Sequence, residues 1–257
     1  MRNRWFAGAA VAACSLAFAT TASAAVIIIN QTKALNGGVT AGDAPGFPIT
    51  LSVPGPYRLD SNLTVPAGKA GIEIKSHYVN IDMAGFRLYG FNSSGAKVAT
   101  YGIDGGAFGV VSVRNGTITG FKYSGIAIFN NQWVVEDMTI TANGGPGIYA
   151  TSGSYSRFVN NSIFVNGAGG ILCNRYCHVE GNNITGNTGG DGVHISSGTV
   201  LGNTIFANAS YGIFAVPGGG GVGFGNNTIG GNLPGGSAQV YGDLQSLNAN
   251  VCKPTAC

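Results

Sequence analysis

Between Asn115 and Asn232 one short phrase is written six times: Asn115-Gly-Thr-Ile118, Asp137-Met-Thr-Ile140, Asn160-Asn-Ser-Ile163, Gly181-Asn-Asn-Ile184, Gly202-Asn-Thr-Ile205 and Asn226-Asn-Thr-Ile229. Successive isoleucines stand 22, 23, 21, 21 and 24 residues apart. A second landmark keeps the same beat. In Gly125-Ile126, Gly147-Ile148, Gly170-Ile171, Gly192-Val193 and Gly212-Ile213 the branched residue follows its phrase isoleucine by eight or nine positions. Self-similarity at such a period marks a repeat architecture. The period is too short for a pair of helices, which needs roughly 33 residues or more. No phrase carries the apolar stripe of an amphipathic helix, so each repeat reads as one coil of short strands.

The third phrase shows how a coil is built. Ser156-Arg-Phe158-Val-Asn160 alternates, Ser162-Ile163-Phe164 is a second β-rich run, Gly170-Ile171-Leu172-Cys173 is a third, and Asn and Gly fill the corners between them. Stacking the phrases predicts inward columns of Val113, Val135, Phe158, Val179, Val200 and Phe224, of the phrase isoleucines, and of the Gly-Ile/Val positions. One coil cannot bury its own apolar side, but coils stacked at about 4.8 Å bury each other's and pair as parallel strands. Two files of asparagine keep register with the columns: Asn143, Asn166, Asn187, Asn208 and Asn232, and Asn161, Asn182, Asn203 and Asn227. An asparagine amide both donates and accepts and tolerates left-handed backbone, so both files read as hydrogen-bonded corner ladders. The composition fits: 44 of 257 residues are glycine and only 9% are charged, as a stack that sets like residue over like requires. The expected fold is an all-β solenoid with coils of about 22 residues, about seven or eight of them, capped at both ends.

This phrasing resembles the right-handed parallel β-helix repeat proteins of the pectate-lyase-like superfamily, from Gly71 to about Gly242. The lead-in Gly42-Asp-Ala-Pro-Gly-Phe-Pro-Ile49 through Pro56-Tyr57-Arg58-Leu59, and the tail with Asn250-Val251-Cys252 and Cys257, are similar to those of secreted bacterial members. The resemblance implies a solenoid. Enzymes of that superfamily work on polysaccharides in a groove along one outer sheet, with clustered acids holding calcium and a basic residue abstracting a proton, while many members have no assigned activity.

Met1 to Ala24 reads as a secretory leader, with Arg2 and Arg4, an apolar run from Trp5, and Ala22-Ser23-Ala24 as the cleavage site. A retained anchor and a lipoprotein at Val11-Ala-Ala-Cys14 are the rival readings. Residues 25–70 carry several prolines and no repeat and are expected to cap the first coil, residues 71–242 to form the solenoid, and residues 243–257 to cap its far end. Leu233-Pro-Gly-Gly236 marks where regular turns stop, and Phe91 to Thr100 reads as a loop inserted on one edge. In an oxidising compartment Cys173 and Cys177, and Cys252 and Cys257, are expected as local disulfides; zinc beside His178 is the alternative, opposed by the uneven cysteine spacing. Without the leader eleven basic residues face ten acidic ones, so no basic stripe invites nucleic acid.

The outward positions of the Gly-Ile strands are Glu73, Asp104, Ala127, Tyr149, Leu172, His194 and Phe214, with Phe129, Thr151 and Asn174 beside them. Calcium takes roughly six to eight oxygens, and this face offers Asp104 alone at its middle. Glycoside hydrolysis needs two carboxyls roughly 5 to 9 Å apart. Gly190-Asp191-Gly192-Val193-His194 resembles a hydrolase motif but lacks the accompanying aspartate pair, so Asp191 and His194 read first as a corner acid and a surface histidine. Arg114, Glu136, Arg157, His178 and Glu180 point outward from a neighbouring sheet and are expected to pair across layers, or else to take an acidic sugar. These observations favour a secreted or envelope-associated β-helix that binds polysaccharide or serves as a structural or adhesive module. Its ligand candidates are Asp104, Phe129, Tyr149, His194 and Phe214, and no cofactor or metal is expected. A polysaccharide lyase or glycoside hydrolase is the alternative.

Overall fold

The computed structural model of the chain describes residues 25–232, 238–253 and 257. The leader expected at Met1 to Ala24 and the break at Leu233-Pro-Gly-Gly236 lie outside the described residues. The chain winds through one nine-stranded sheet and one seventeen-stranded sheet, in which the pairings between named strands are parallel. A representative coil runs Ile148–Ser154, Arg157–Val159 and Ser162–Phe164, and the next runs Ile171–Arg175, Cys177–Glu180 and Asn183–Thr185. One six-residue helix, Gln31–Asn36, lies at the N-terminal end.

The three expected columns stand in register. Val113, Val135, Phe158, Val179, Val200 and Phe224 pair in succession, as do the phrase isoleucines from Ile118 to Ile229. The Gly-Ile column runs from Ile49 through Ile72, Ile103, Ile126, Ile148, Ile171, Val193 and Ile213 to Val240. All but the last are buried, and together they form one dry core along the rod. The register continues beyond the span read from the phrases. Ile49–Leu51, Gly55–Leu59 and Leu63–Thr64 form a coil, and so do Val240–Gly242, Leu244–Ser246 and Val251–Lys253, giving nine coils rather than seven or eight. Their sequences lack the Asn-x-Thr-Ile phrase because a coil needs only its inward apolar residues, here Ile49, Leu51, Tyr57, Leu59 and Leu63.

Each corner is made by a residue in left-handed backbone. One file of these is Asn115, Asp137, Asn160, Gly181, Gly202 and Asn226; a second is Gly120, Ala142, Val165, Gly186, Ala207 and Gly231. The expectation that the ladder asparagines themselves take the left-handed turn is corrected: the residue before each takes it. That leaves the asparagine side chain pointing inward, fully buried, where its amide can bond along the rod axis. Asn143 Nδ2 donates to Asn166 Oδ1 at 3.0 Å, Asn166 to Asn187 at 3.0 Å, Asn187 to Asn208 at 2.8 Å and Asn208 to Asn232 at 2.8 Å. Gln239 Oε1 ends this ladder by accepting from Asn232, and Asn250 ends the parallel ladder of Asn161, Asn182, Asn203 and Asn227.

At the N-terminal end Ile27–Ile29 pairs with Gly55–Leu59, and the short helix lays buried Ala34 against the core. Asn30 caps that helix by accepting the Lys33 N–H at 2.8 Å. Disulfides join Cys173 to Cys177 and Cys252 to Cys257. Peptide mapping of the unreduced protein should recover both pairs as short local loops with no bound zinc. Free thiols at either pair would contradict this assignment.

Candidate functional site

The nine-stranded sheet carries the Gly-Ile strands, and its outward side chains rise in one file: Glu73, Asp104, Ala127, Tyr149, Leu172, His194, Phe214 and Tyr241. Strand alternation places them, since each follows an inward Ile or Val. Two aromatic clusters stand on this file, separated by Leu172.

The first cluster lines a cleft of about 330 Å3 walled by Tyr101, Lys122, Tyr123, Phe129, Pro146 and Tyr149. Phe129 meets Tyr149 edge-on at 6.2 Å, Tyr101 lies 5.2 Å from Tyr123, and the Lys122 ammonium sits 5.5 Å from the Tyr123 ring centre. Burial, and then the negative charge of Asp104 nearby, push the Tyr101 phenol above its ordinary pKa. It therefore stays protonated as a hydrogen-bond donor through neutral pH. The inserted loop supports this cleft from behind. Asn92 Oδ1 accepts the N–H groups of Ser94 and Ala96 to close the loop's turn, while Ala99 O and Thr100 O accept from Lys122 and Tyr123.

The second cluster is a stack. His194 and Phe214 lie nearly parallel at 4.7 Å, Phe214 and Tyr241 at 5.3 Å, and Tyr211 packs beside both Phe214 and Tyr241. His194 Nδ1 lies 3.0 Å from Asp191 Oδ2, and Asp191 Oδ1 accepts the Tyr211 N–H at 3.0 Å. An ionised carboxylate can only accept, so the neutral tautomer that makes this bond carries its ring proton on Nδ1 and its lone pair on Nε2.

The structure thus brings Phe129 and Tyr149 into one cluster and His194 and Phe214 into another, two coils further along. Asp104 stands at the near end of the file, where its Oδ1 accepts the Gly106 N–H at 3.1 Å. Ala127 keeps its place in that file but is covered by its neighbours and fully buried. Tyr101, Tyr123, Tyr211 and Tyr241 escaped the sequence reading. The signal for two of them was present, because Tyr101 and Tyr211 directly precede the glycine of a Gly-Ile pair, the phase that Asp191 occupies in its own coil.

On the other sheet, among the described residues, the expectation of cross-layer ion pairs holds at one place, Arg114, whose partner at 3.7 Å is Asp82, an acid outside the expected set. His178 bonds Glu180 of its own strand at 2.7 Å and Thr199 of the next coil at 2.7 Å. Arg114 stands between two acids, Asp82 of the preceding coil and Glu136 of the next, and bonds Asp82; on its other side Glu136 faces Val159, while Arg157 faces Val134 and His178. Among the described residues no three His, Cys, Asp or Glu side chains converge as a metal site would require. No described helix is long and apolar enough to cross a membrane.

A profile described as a right-handed β-helix region matches residues 70–232. The crystal structure of a mutant of a periplasmic alginate epimerase superposes with a TM-score of 0.56 at 14% identity, over 76% of this chain and 50% of that one. The same enzyme without the substitution gives 0.55 at 13% identity, over 76% and 49%. A pectate lyase gives 0.40 at 15% identity, over 84% and 58%. The chain spans about half the length of the epimerase structures, and at these identities the likeness is one of fold. No curated protein matches the sequence.

Proposed function

The chain belongs to the right-handed β-helix family, and from that premise we propose that it is a polysaccharide-binding protein of the cell exterior whose ligand lies along the Gly-Ile sheet. The observation that carries this reading is the aromatic cleft of Tyr101, Tyr123, Phe129 and Tyr149, continued along the same face by His194, Phe214 and Tyr241. Pyranose rings present flat C–H faces that pack on aromatic rings, while the Tyr101 hydroxyl supplies a neutral donor for sugar hydroxyls. A linear polymer suits a linear file. The solved β-helix enzyme named above is an alginate epimerase, which supports a glycan as the class of ligand. Local disulfides support an oxidising compartment, secreted or periplasmic. We propose further that residues 25–70 and 243–257 protect the ends of the rod from edge-to-edge pairing.

Binding here rests on stacking and neutral hydrogen bonds. Titrating oligosaccharides into wild type should give an affinity that Tyr149→Ala lowers roughly tenfold and that a calcium chelator leaves unchanged, as expected for the loss of about 1.4 kcal/mol of stacking. Binding that vanishes with chelator and survives Tyr149→Ala would sink this reading. The second reading, a lyase or epimerase, is favoured by one feature, the Asp191-oriented His194 whose Nε2 is left to act as a base. Its test is the appearance of unsaturated or epimerised products that disappear in His194→Gln.

A further inference from the structure

A second cluster of ring and charge lies off that face, at the corner where the fifth and sixth coils pass from one sheet to the other. Tyr155 and Tyr176 project from successive coils there with rings stacked at 5.0 Å and 13° between planes. They are 61% and 56% exposed, far more than packing against the rod would leave. The coil that follows answers Tyr176 with Ser197, a small buried residue whose Oγ accepts the Tyr176 N–H at 3.1 Å. The ring stack therefore stops at Tyr176 with one face uncovered.

In sequence, an arginine stands beside each member of this pair. Arg175 directly precedes Tyr176, and Arg157 lies two residues after Tyr155. Among the described residues neither guanidinium has a carboxylate within ion-pairing distance. Arg175 also lines a polar cleft of about 260 Å3 with Thr151, Ser152 and Asn174.

The corner is held rigid in a way that its equivalents in neighbouring coils are not. Cys173 and Cys177 bracket Asn174-Arg175-Tyr176 and close a disulfide across them, both sulfurs being buried beneath the corner. The Tyr155 N–H donates to Arg175 O at 3.3 Å, tying the two coils together at the same point. Left-handed backbone at Tyr155 and Tyr176 is the rule for this file, which includes Tyr78, Val110 and Gln132. Among the described residues of this file, the cross-link and the near-parallel ring stack occur at this corner alone. A rod core already closed by its own columns gains little from a cross-link over three exposed residues, whereas a recognition surface gains preorganisation.

We propose that this stapled corner is a binding site for an acidic saccharide, with the tyrosine pair stacking on a sugar ring and Arg157 and Arg175 taking its carboxylate or sulfate. The chemistry is that of planar, charge-assisted recognition of an oxyanion beside an aromatic surface. It differs from the neutral stacking on the Gly-Ile sheet and does not depend on it.

The test uses the full-length protein with its disulfides intact, titrated calorimetrically with a hexuronate hexasaccharide, a sulfated hexasaccharide and neutral cellohexaose. At least one acidic probe should bind more tightly than cellohexaose and weaken as salt is raised. Arg175→Gln and Tyr176→Ala should each lower that affinity about tenfold, and Tyr149→Ala should leave it unchanged. Reduction of the Cys173–Cys177 bond, with circular dichroism confirming that the β-solenoid persists, should also weaken it. A Cys173→Ser/Cys177→Ser variant gives the same reading should reductant disturb the tail. Three outcomes would overturn the proposal: equal affinity for cellohexaose, acidic binding indifferent to both corner substitutions, or acidic binding abolished by Tyr149→Ala instead. The last would move the acidic ligand to the sheet face, whereas loss of cellohexaose binding alone would count against the sheet-face reading and leave this corner standing.

Discussion

Replacing Asn187 with leucine should lower the unfolding free energy by about 3 to 4 kcal/mol, because it strands several buried polar groups at once. The wild-type amide accepts the Asn166 N–H and Asn166 Nδ2 at 3.0 Å each, and donates to Asn208 Oδ1 at 2.8 Å and Ile163 O at 3.4 Å. Leucine has the same branched skeleton with bulkier methyl ends and none of these functions. Asn166 would lose the partner of its backbone N–H and one of the two partners of its Nδ2, and Ile163 O would be left facing a methyl group. Each unsatisfied buried group costs roughly 1 to 3 kcal/mol, and part of the ladder can relax around the gap. Urea unfolding of Asn187→Leu beside Asn183→Leu checks this, since Asn183 is exposed and should change stability by less than about 0.5 kcal/mol. Matching midpoints for the two variants would show that the ladder contributes nothing beyond its backbone bonds.

Gly192→Ala should cost about 2 to 3 kcal/mol, the expected price of forcing one extra carbon into a filled core. Gly192 has ordinary backbone, so its lack of a side chain is a matter of space. A Cβ there would stand 2.5 Å from Ile205 Cγ2, 2.7 Å from Gly212 O and 2.9 Å from Asn208 Nδ2. Two of those neighbours cannot withdraw cheaply, one being backbone and the other a rung of the asparagine ladder. The same crowding recurs at Gly125 and Gly147, whose Cβ would press on Ile140 and Ile163 of their own coils. The glycine of each Gly-Ile pair is thus the place where a coil closes on its own phrase isoleucine. Gly186→Ala makes the contrast. Gly186 is left-handed with open space around it, and Ala142 and Ala207 occupy the same file, so alanine there should cost about 1 kcal/mol or less. Thermal denaturation that ranked Gly186→Ala as the more damaging of the two would refute the steric account.

By itself the sequence determined the architecture and its interior. A stack repeats one environment many times, so the residues that satisfy it, Ile118 to Ile229, Val113 to Phe224 and the two asparagine files, recur at a readable interval and can be assigned to columns before any coordinates exist. The outward file from Glu73 to Phe214 followed from the same period. What the period could not carry was anything that occurs once. The coils at Ile49 to Thr64 and Val240 to Lys253 lack the phrase. The choice of left-handed residue, one position before each ladder asparagine, is a backbone matter that composition does not express. The aromatic cleft is assembled from Tyr101 and Tyr123 at corners and Phe129 and Tyr149 on strands, and the stapled corner from Tyr155 and Tyr176 in coils 21 residues apart. Such sites depend on which side chains of adjacent layers come within about 5 Å of one another, and on which layer leaves a ring uncovered. That is decided by winding the chain, because neighbours along the rod axis are a full coil apart in sequence and nothing local to either residue records the contact.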